Sequence, residues 1–183
     1  LKQFKEFYPL SISTNKGEYS GETVDVGYGI NSVSPIRNDY AGKNVNGKMV
    51  LINIGSPDGI HPHSAFIAWH GIESRVNEAI KQGAKAVVFY KDDDKVESPE
   101  GNLSLKIEPC AIPVVFVSRE LKSLPPSAPM SVSIDILAIV EKGHNVVAMR
   151  DNKATNTVVI GAHHDHLGRG QMGNSLSVGS SEI

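Results

Sequence analysis

The chain has 183 residues, a formal net charge of −2 and a hydrophobic share of 40%. That length can bury a sizeable core and ordinarily holds one domain, or one plus a fragment. The balance carries neither a basic surplus that asks for nucleic acid nor an acidic tail, and no apolar run approaches the roughly 18 residues of a membrane span.

Residues 1–19 read as a lead-in with one weak strand, "PLSIST", and no evident partner for it. In "ETVDVGYGI", Val24, Val26 and Tyr28 alternate with Thr23, Asp25 and Gly27, the period of a half-buried strand ending at a glycine bend. The turn-rich "RNDYAGKNVNG" leads to "KMVLINI", a second, apolar strand. A histidine group follows, His61 and His63 in "GIHPHS" and then His70. A His-Pro-His pair can chelate metal, yet loop histidines ahead of a helix are ordinarily solvated, and that is the expectation here. "IESRVNEAIKQGAKAVVFY" places Ile72, Val76, Ala79 and Ile80 at helical spacing, with Arg75, Glu78 and Lys81 facing outward. Gly83 is placed to stop that helix in the left-handed conformation, and Ala86 to Tyr90 is a buried strand. Residues 48–90 thus form a strand-helix-strand unit.

"KDDDKVESPEGNLSLKIEPCA" is a solvated loop; its three aspartates lack the Gly-Glu register of a calcium loop. The lone cysteine, Cys110, has no internal disulfide partner, and its apolar neighbours predict a buried thiol rather than a nucleophile. "IPVVFVS" is another buried strand, and "LKSLPPSAPM" interrupts the chain with prolines. In "SVSIDILAIV", Val132, Ile134 and Ile136 point inward while Ser131, Ser133 and Asp135 point outward. "HNVVAM" and "TVVIGA" are two apolar strands joined by the polar turn "RDNKATN", a hairpin. The sequence opens on Leu1 and closes on the polar loop "GNSLSVGSSEI", so a fragment of a longer chain is expected. The organisation that follows is a lead-in over 1–19, a compact β-rich domain over 20–140, and the beginning of something else over 141–183.

Read together, "VDVGYGI", "NGKMVLINIG", "EAIKQGAKAVVFY" and "IPVVFVS" resemble a protease-associated (PA) domain. The helix running into Gly83-Ala84 and straight into a buried strand is the most specific element. The following "GHNVVAMRDNKATNTVVIGAHHDHLG" resembles the opening of the catalytic domain of family-28 zinc metallopeptidases, exopeptidases with two zinc ions per site. The resemblance implies an α+β, β-rich chain: a PA-domain β-barrel or sandwich with flanking helices, then the first strands of a truncated α/β zinc-peptidase domain. It also implies roles at the motif Gly161, Ala162, His163, His164, Asp165. His163 would be a zinc ligand and Asp165 the carboxylate that orients it, assigned among the catalytic residues. That pairing is chemically sensible, because residues two apart at a strand end point the same way. A carboxylate accepting from the other ring nitrogen then fixes the tautomer and raises the ligand's basicity. His164 and His166 have no ligand role in this register.

The resemblance further implies two zinc ions, peptide substrates, and export of the parent protein to the periplasm or outside the cell. Aminopeptidase is the preferred activity and carboxypeptidase the alternative, since the residues that decide it, with the remaining ligands and the general base, are not supplied by this sequence. The fragment itself is expected to be inactive, with no nucleic-acid partner and no membrane span. The oligomeric state is unspecified. A reading from another class is a PA module that binds protein or peptide without catalysis.

Overall fold

The computed structural model describes residues 6–92, 95–99, 101, 103, 107–118, 128–137, 146–151, 153 and 155–162. The chain divides into two compact units, Leu1–Leu137 and Ala138–Ile183. In the first unit the strands are β1 (Phe7–Pro9), β2 (Lys16–Asp25), β3 (Asn31–Val33), β4 (Ile36–Asn38), β5 (Met49–Asn53), β6 (Ala86–Tyr90), β7 (Val114–Val117) and β8 (Pro129–Asp135). Helix α1 (Ile72–Lys81) and a 3-10 turn (Ile67–Trp69) lie between β5 and β6. No helix among the described residues is long and apolar enough to cross a membrane.

Six strands form one sheet in the order β1-β7-β6-β5-β2-β8, and β3 pairs with β4 in a separate hairpin. The central pairings β2-β5, β5-β6 and β6-β7 are parallel, and the outer pairings β1-β7 and β2-β8 are antiparallel. Strand β2 changes partner along its length. Lys16–Glu22 face β8, Thr23–Asp25 face β5, and Thr23 Oγ1 donates to Ala128 O at 2.9 Å beside the handover. The sheet thereby curls, and β1 and β8 line one concave face with Met49, Val88, Val115 and Val117. The result is a nearly closed, barrel-like sheet.

Both faces of the parallel centre are covered, which is why β5, β6 and β7 are buried along their whole length. The period of two sorts their side chains. Met49, Leu51, Ala86, Val88, Val115 and Val117 fill the barrel interior with Ile134. Val50, Ile52, Val87, Phe89, Val114 and Phe116 face the other way and pack with Val76 and Ala79 of α1. Each large side chain removed from water there contributes roughly 1.5–3 kcal/mol. Helix α1 ends as its sequence requires. Gly83 has φ +90°, its N–H donates to Ile80 O at 2.9 Å, and the Ala84 N–H donates to Ala79 O at 3.0 Å.

Several elements differ from the sequence expectation. The strand expected in "PLSIST" sits earlier, at Phe7–Pro9, where β7 offers an open edge. Strand β2 begins well before Glu22, because β8 supplies a ladder for its first seven residues. The β3–β4 hairpin is unforeseen, its short strands lacking apolar alternation. Arg75 and Glu78, expected to face outward, are buried. Within the second unit, residues 146–151 and 155–162 carry no strand among the described residues. Val146, Val147, Met149, Val158, Val159 and Ile160 are all exposed, so the expected hairpin is not formed there. An apolar run alone does not make a strand when nothing pairs with it.

Candidate functional site

In sheets with a parallel centre, the loops leaving the carboxyl ends of the strands are the usual place for a site. Here they include 54–71 after β5 and the described part of 91–113 after β6. The first is organised around Asp58. Its Oδ1 accepts from Ser64 Oγ at 2.7 Å and from Ser56 Oγ at 3.0 Å, while Oδ2 accepts the Ala65 N–H at 2.8 Å. The Ser64 hydroxyl, helped by the Ala65 and Ser56 donors, pulls the Asp58 carboxyl down to about 2. His61 Nε2 lies 3.0 Å from Asp58 O.

Ser64, Asp58 and His70 invite comparison with a nucleophile, acid and base, but the proton inventory excludes it. Ser64 Oγ donates to the carboxylate and accepts the Phe66 N–H at 3.0 Å. His70 Nε2, 3.0 Å from the same oxygen, must therefore carry its hydrogen and donate. The serine proton is committed to Asp58, and the imidazole cannot remove it. Burial first, and then the Arg75 charge, hold His70 below its ordinary value, so the ring is neutral at pH 7. The three side chains brace a loop.

Arg75 anchors that loop to the sheet. Its Nε donates to Trp69 O, at the end of the 3-10 turn, and its Nη1 donates to Asn53 O, at the end of β5, at 2.9 Å. Burial lowers the guanidinium to about 10, which still leaves it cationic at neutral pH. Glu78 lies one helical turn on and accepts from Asn31 Nδ2 and Gln82 Nε2, both at 2.7 Å, so it ties the β3–β4 hairpin to α1. Arg37, paired with Asp39 at 2.8 Å, covers the Tyr28 ring at 5.2 Å and the Phe66 ring at 6.0 Å. Tyr40 is raised by burial and then by Glu78 and Asp39. Helical periodicity cannot find this network, because it sends every charged position to solvent. Asn53, an amide ending an apolar strand, was the available signal.

Beside these loops and the start of α1 runs a mixed groove, two adjoining cavities of about 480 and 780 Å³ that share His70, Ile72 and Pro99 and also carry Glu73, Lys95 and Glu97. Leu10, Ile12 and Ile107 line one part, and Ile54, Ile60 and Val96 the other. Such a surface can hold apolar side chains, and none of the described residues around it forms a nucleophile-base pair. His70 is therefore more than a solvated loop histidine, whereas His61 and His63 are exposed. Cys110, expected to be buried, is only half-buried against the core, and that burial raises its thiol.

His163 and Asp165, the residues singled out for metal chemistry, lie outside the described residues, as do His164 and His166. Of the motif before them, Gly161 and Ala162 are exposed and outside any ladder. Among the described residues no group of three His, Cys, Asp or Glu could hold a metal ion.

Residues 17–122, more than half of the chain, match the PA domain family. No curated protein matches the chain. Among solved structures, the chain is similar to an aminopeptidase from Aneurinibacillus sp. strain AM-1, at 29% identity and a TM-score of 0.40. That alignment covers 62% of this chain and 22% of the other. It is also similar to BSAP, a zinc aminopeptidase from Bacillus subtilis, at 19% identity and a TM-score of 0.47, covering 70% of this chain and 28% of the other. The chain spans only 22% and 28% of the lengths of these two proteins.

Proposed function

The chain belongs to the PA domain family, and from that premise we propose that it is the PA-bearing part of a two-zinc exopeptidase of family 28, an aminopeptidase acting on the N-terminus of peptides. The observation that carries the reading is order along the chain. A PA domain matched over residues 17–122 is followed by "NVVA", a second apolar run, Gly161-Ala162 and His163-x-Asp165. The PA unit would shape access of peptides to the catalytic site, and the parent protein would be exported.

The described residues offer no set that fits zinc, so the residues assigned to it are those of the resemblance, His163 as ligand and Asp165 as its orienting partner. Bound zinc supplies a water of lowered pKa and a Lewis acid for the scissile carbonyl. A catalytic zinc usually takes three protein ligands, and one expected ligand in this chain does not make a site. The 183-residue chain alone is therefore expected to be inactive and to retain no stoichiometric zinc.

The test compares the parent protein with this chain after dialysis, by zinc content and by hydrolysis of amino-acyl chromogenic substrates and of N-blocked peptides. The parent should retain zinc and cleave substrates with a free amino end. In the parent, Asp165→Asn should weaken zinc binding about 10- to 100-fold. Cleavage of N-blocked peptides alone would make it a carboxypeptidase. A parent that neither retains zinc nor cleaves would leave a non-catalytic peptide-binding module.

A further inference from the structure

The curled sheet leaves a seam between its two edge strands, β1 and β8. The cavity along that seam, about 430 Å³, is lined by every residue from Met130 to Ile136 and, on the far side, by Phe7 and Pro9. Ladder geometry says which backbone groups of β8 are free. The Ile136 N–H donates to Asn15 O at 2.7 Å, one step beyond the register Lys16↔Asp135, so Ile136 and Asn15 are a hydrogen-bonded pair. Antiparallel ladders alternate, so Ile134, Val132 and Met130 also bond to β2. The N–H and C=O groups of Ser131, Ser133 and Asp135 then point away from β2, about 6.8 Å apart, and among the described residues no strand pairs with them. Met130, Val132, Ile134 and Ile136 turn their side chains to the barrel interior beside that edge.

Evenly spaced donors and acceptors next to an apolar cavity fit an extended backbone and little else. A second copy of β8 is a poor occupant. Its Met130, Val132 and Ile134 side chains are already turned into its own barrel and cannot also fill this cavity. A charge at one end indicates direction. Asp135, at the carboxyl end of β8, is exposed and has no ion pair among the described residues; with the nearby Glu18 it outweighs Lys16 opposite. A strand added antiparallel to β8 brings its amino end to Asp135.

We propose that the free edge of β8 binds an extended peptide as an added antiparallel strand, with alternate apolar side chains in the seam cavity and the free amino group beside Asp135. This stands apart from the peptidase reading. An inactive parent whose β8 accepts a strand leaves it intact, and an active parent whose β8 does not overturns it alone.

The probe is a soluble heptapeptide with valine at alternate positions, titrated into the isotope-labelled 183-residue chain while amide shifts are followed by NMR. Shifts should concentrate on Ser131, Ser133 and Asp135. Ser133→Pro removes a donor from the free edge without touching the β2 ladder, a tolerated place for proline. It should weaken binding at least about tenfold, with Ser133→Ala nearly unchanged. Should Ser133→Pro fail to fold, the same peptide methylated on its edge-facing nitrogens applies the test from the other side, with the same expected loss. Acetylating the peptide's amino end should weaken binding severalfold, and Asp135→Asn should abolish that difference. No shifts on β8 at millimolar peptide, or undiminished binding by the methylated peptide, would overturn the proposal.

Discussion

Two stretches of nearly the same composition meet opposite fates. In "AVVFY" of β6, Val87 and Val88 are 0% and 1% exposed; in "TVVIGA", Val158 and Val159 are 83% and 87% exposed. Both are rich in β-branched residues, so intrinsic preference does not separate them. Neighbours do. Strand β6 lies between β5 and β7, with α1 on one face and β8 across the barrel on the other, while residues 157–160 have no ladder among the described residues. A strand is a property of the sheet that receives it, and the PA unit carries its own.

The largest effect that could break this comparison is a pair of truncations. Phe89→Ala should cost about 3–5 kcal/mol of unfolding free energy, whereas Ile160→Ala should stay within about 0.5 kcal/mol. Urea denaturation of both variants decides it, and comparable losses would mean that residue 160 has a packed environment. Next comes Arg75→Ala. It strips charged donors from Trp69 O and Asn53 O, and at about 1.5–3 kcal/mol for a bond to a charged group the loss should be roughly 3 kcal/mol. Limited proteolysis should then cut within 54–71 before the sheet unfolds.

Gly83→Ala is smaller. The residue has φ +90°, and an added Cβ would lie 2.5 Å from Asn46 Oδ1, so about 1–2 kcal/mol should be lost in thermal melts. The smallest effects are in pH dependence. His70 titrates lower when folded than when unfolded, so as pH falls below about 6.5 the unfolded chain takes the proton first and stability declines. Asp58 is the opposite case. Its contribution is present above the unfolded value near 3.8 and is lost as pH falls through about 2. Amide exchange of residues 56–66 should therefore quicken between about pH 4 and 2 in the native chain but not in Asp58→Asn.

The strand-helix-strand unit over 48–90 was legible because its signals are local: two apolar runs, a 3.6-residue stripe and a glycine stop. The helix boundary needs nothing remote. What stayed hidden depends on distant partners. The first half of β2 reads as polar, "KGEYSGE", and becomes strand because β8 lies alongside more than a hundred residues later. Periodicity treats charge as an outward marker and so sends Arg75 and Glu78 to solvent; their burial rests on Asn53, Trp69, Asn31 and Gln82, which a helical pattern does not supply. The role of Asp58 follows from a loop fold with no period at all. For His163 and Asp165 the resemblance to family-28 zinc metallopeptidases supplies the proposed roles, and the described residues end just before them.

Hydrogen exchange across the whole 183-residue chain at neutral pH measures the contrast between the two stretches most directly. Amides of Val87 to Tyr90 should be protected by several orders of magnitude relative to those of Val158 to Ile160, which should exchange near the rate of an unstructured peptide. Comparable slow exchange in both stretches would contradict the account, since residues 158–160 would then be held in a ladder of their own.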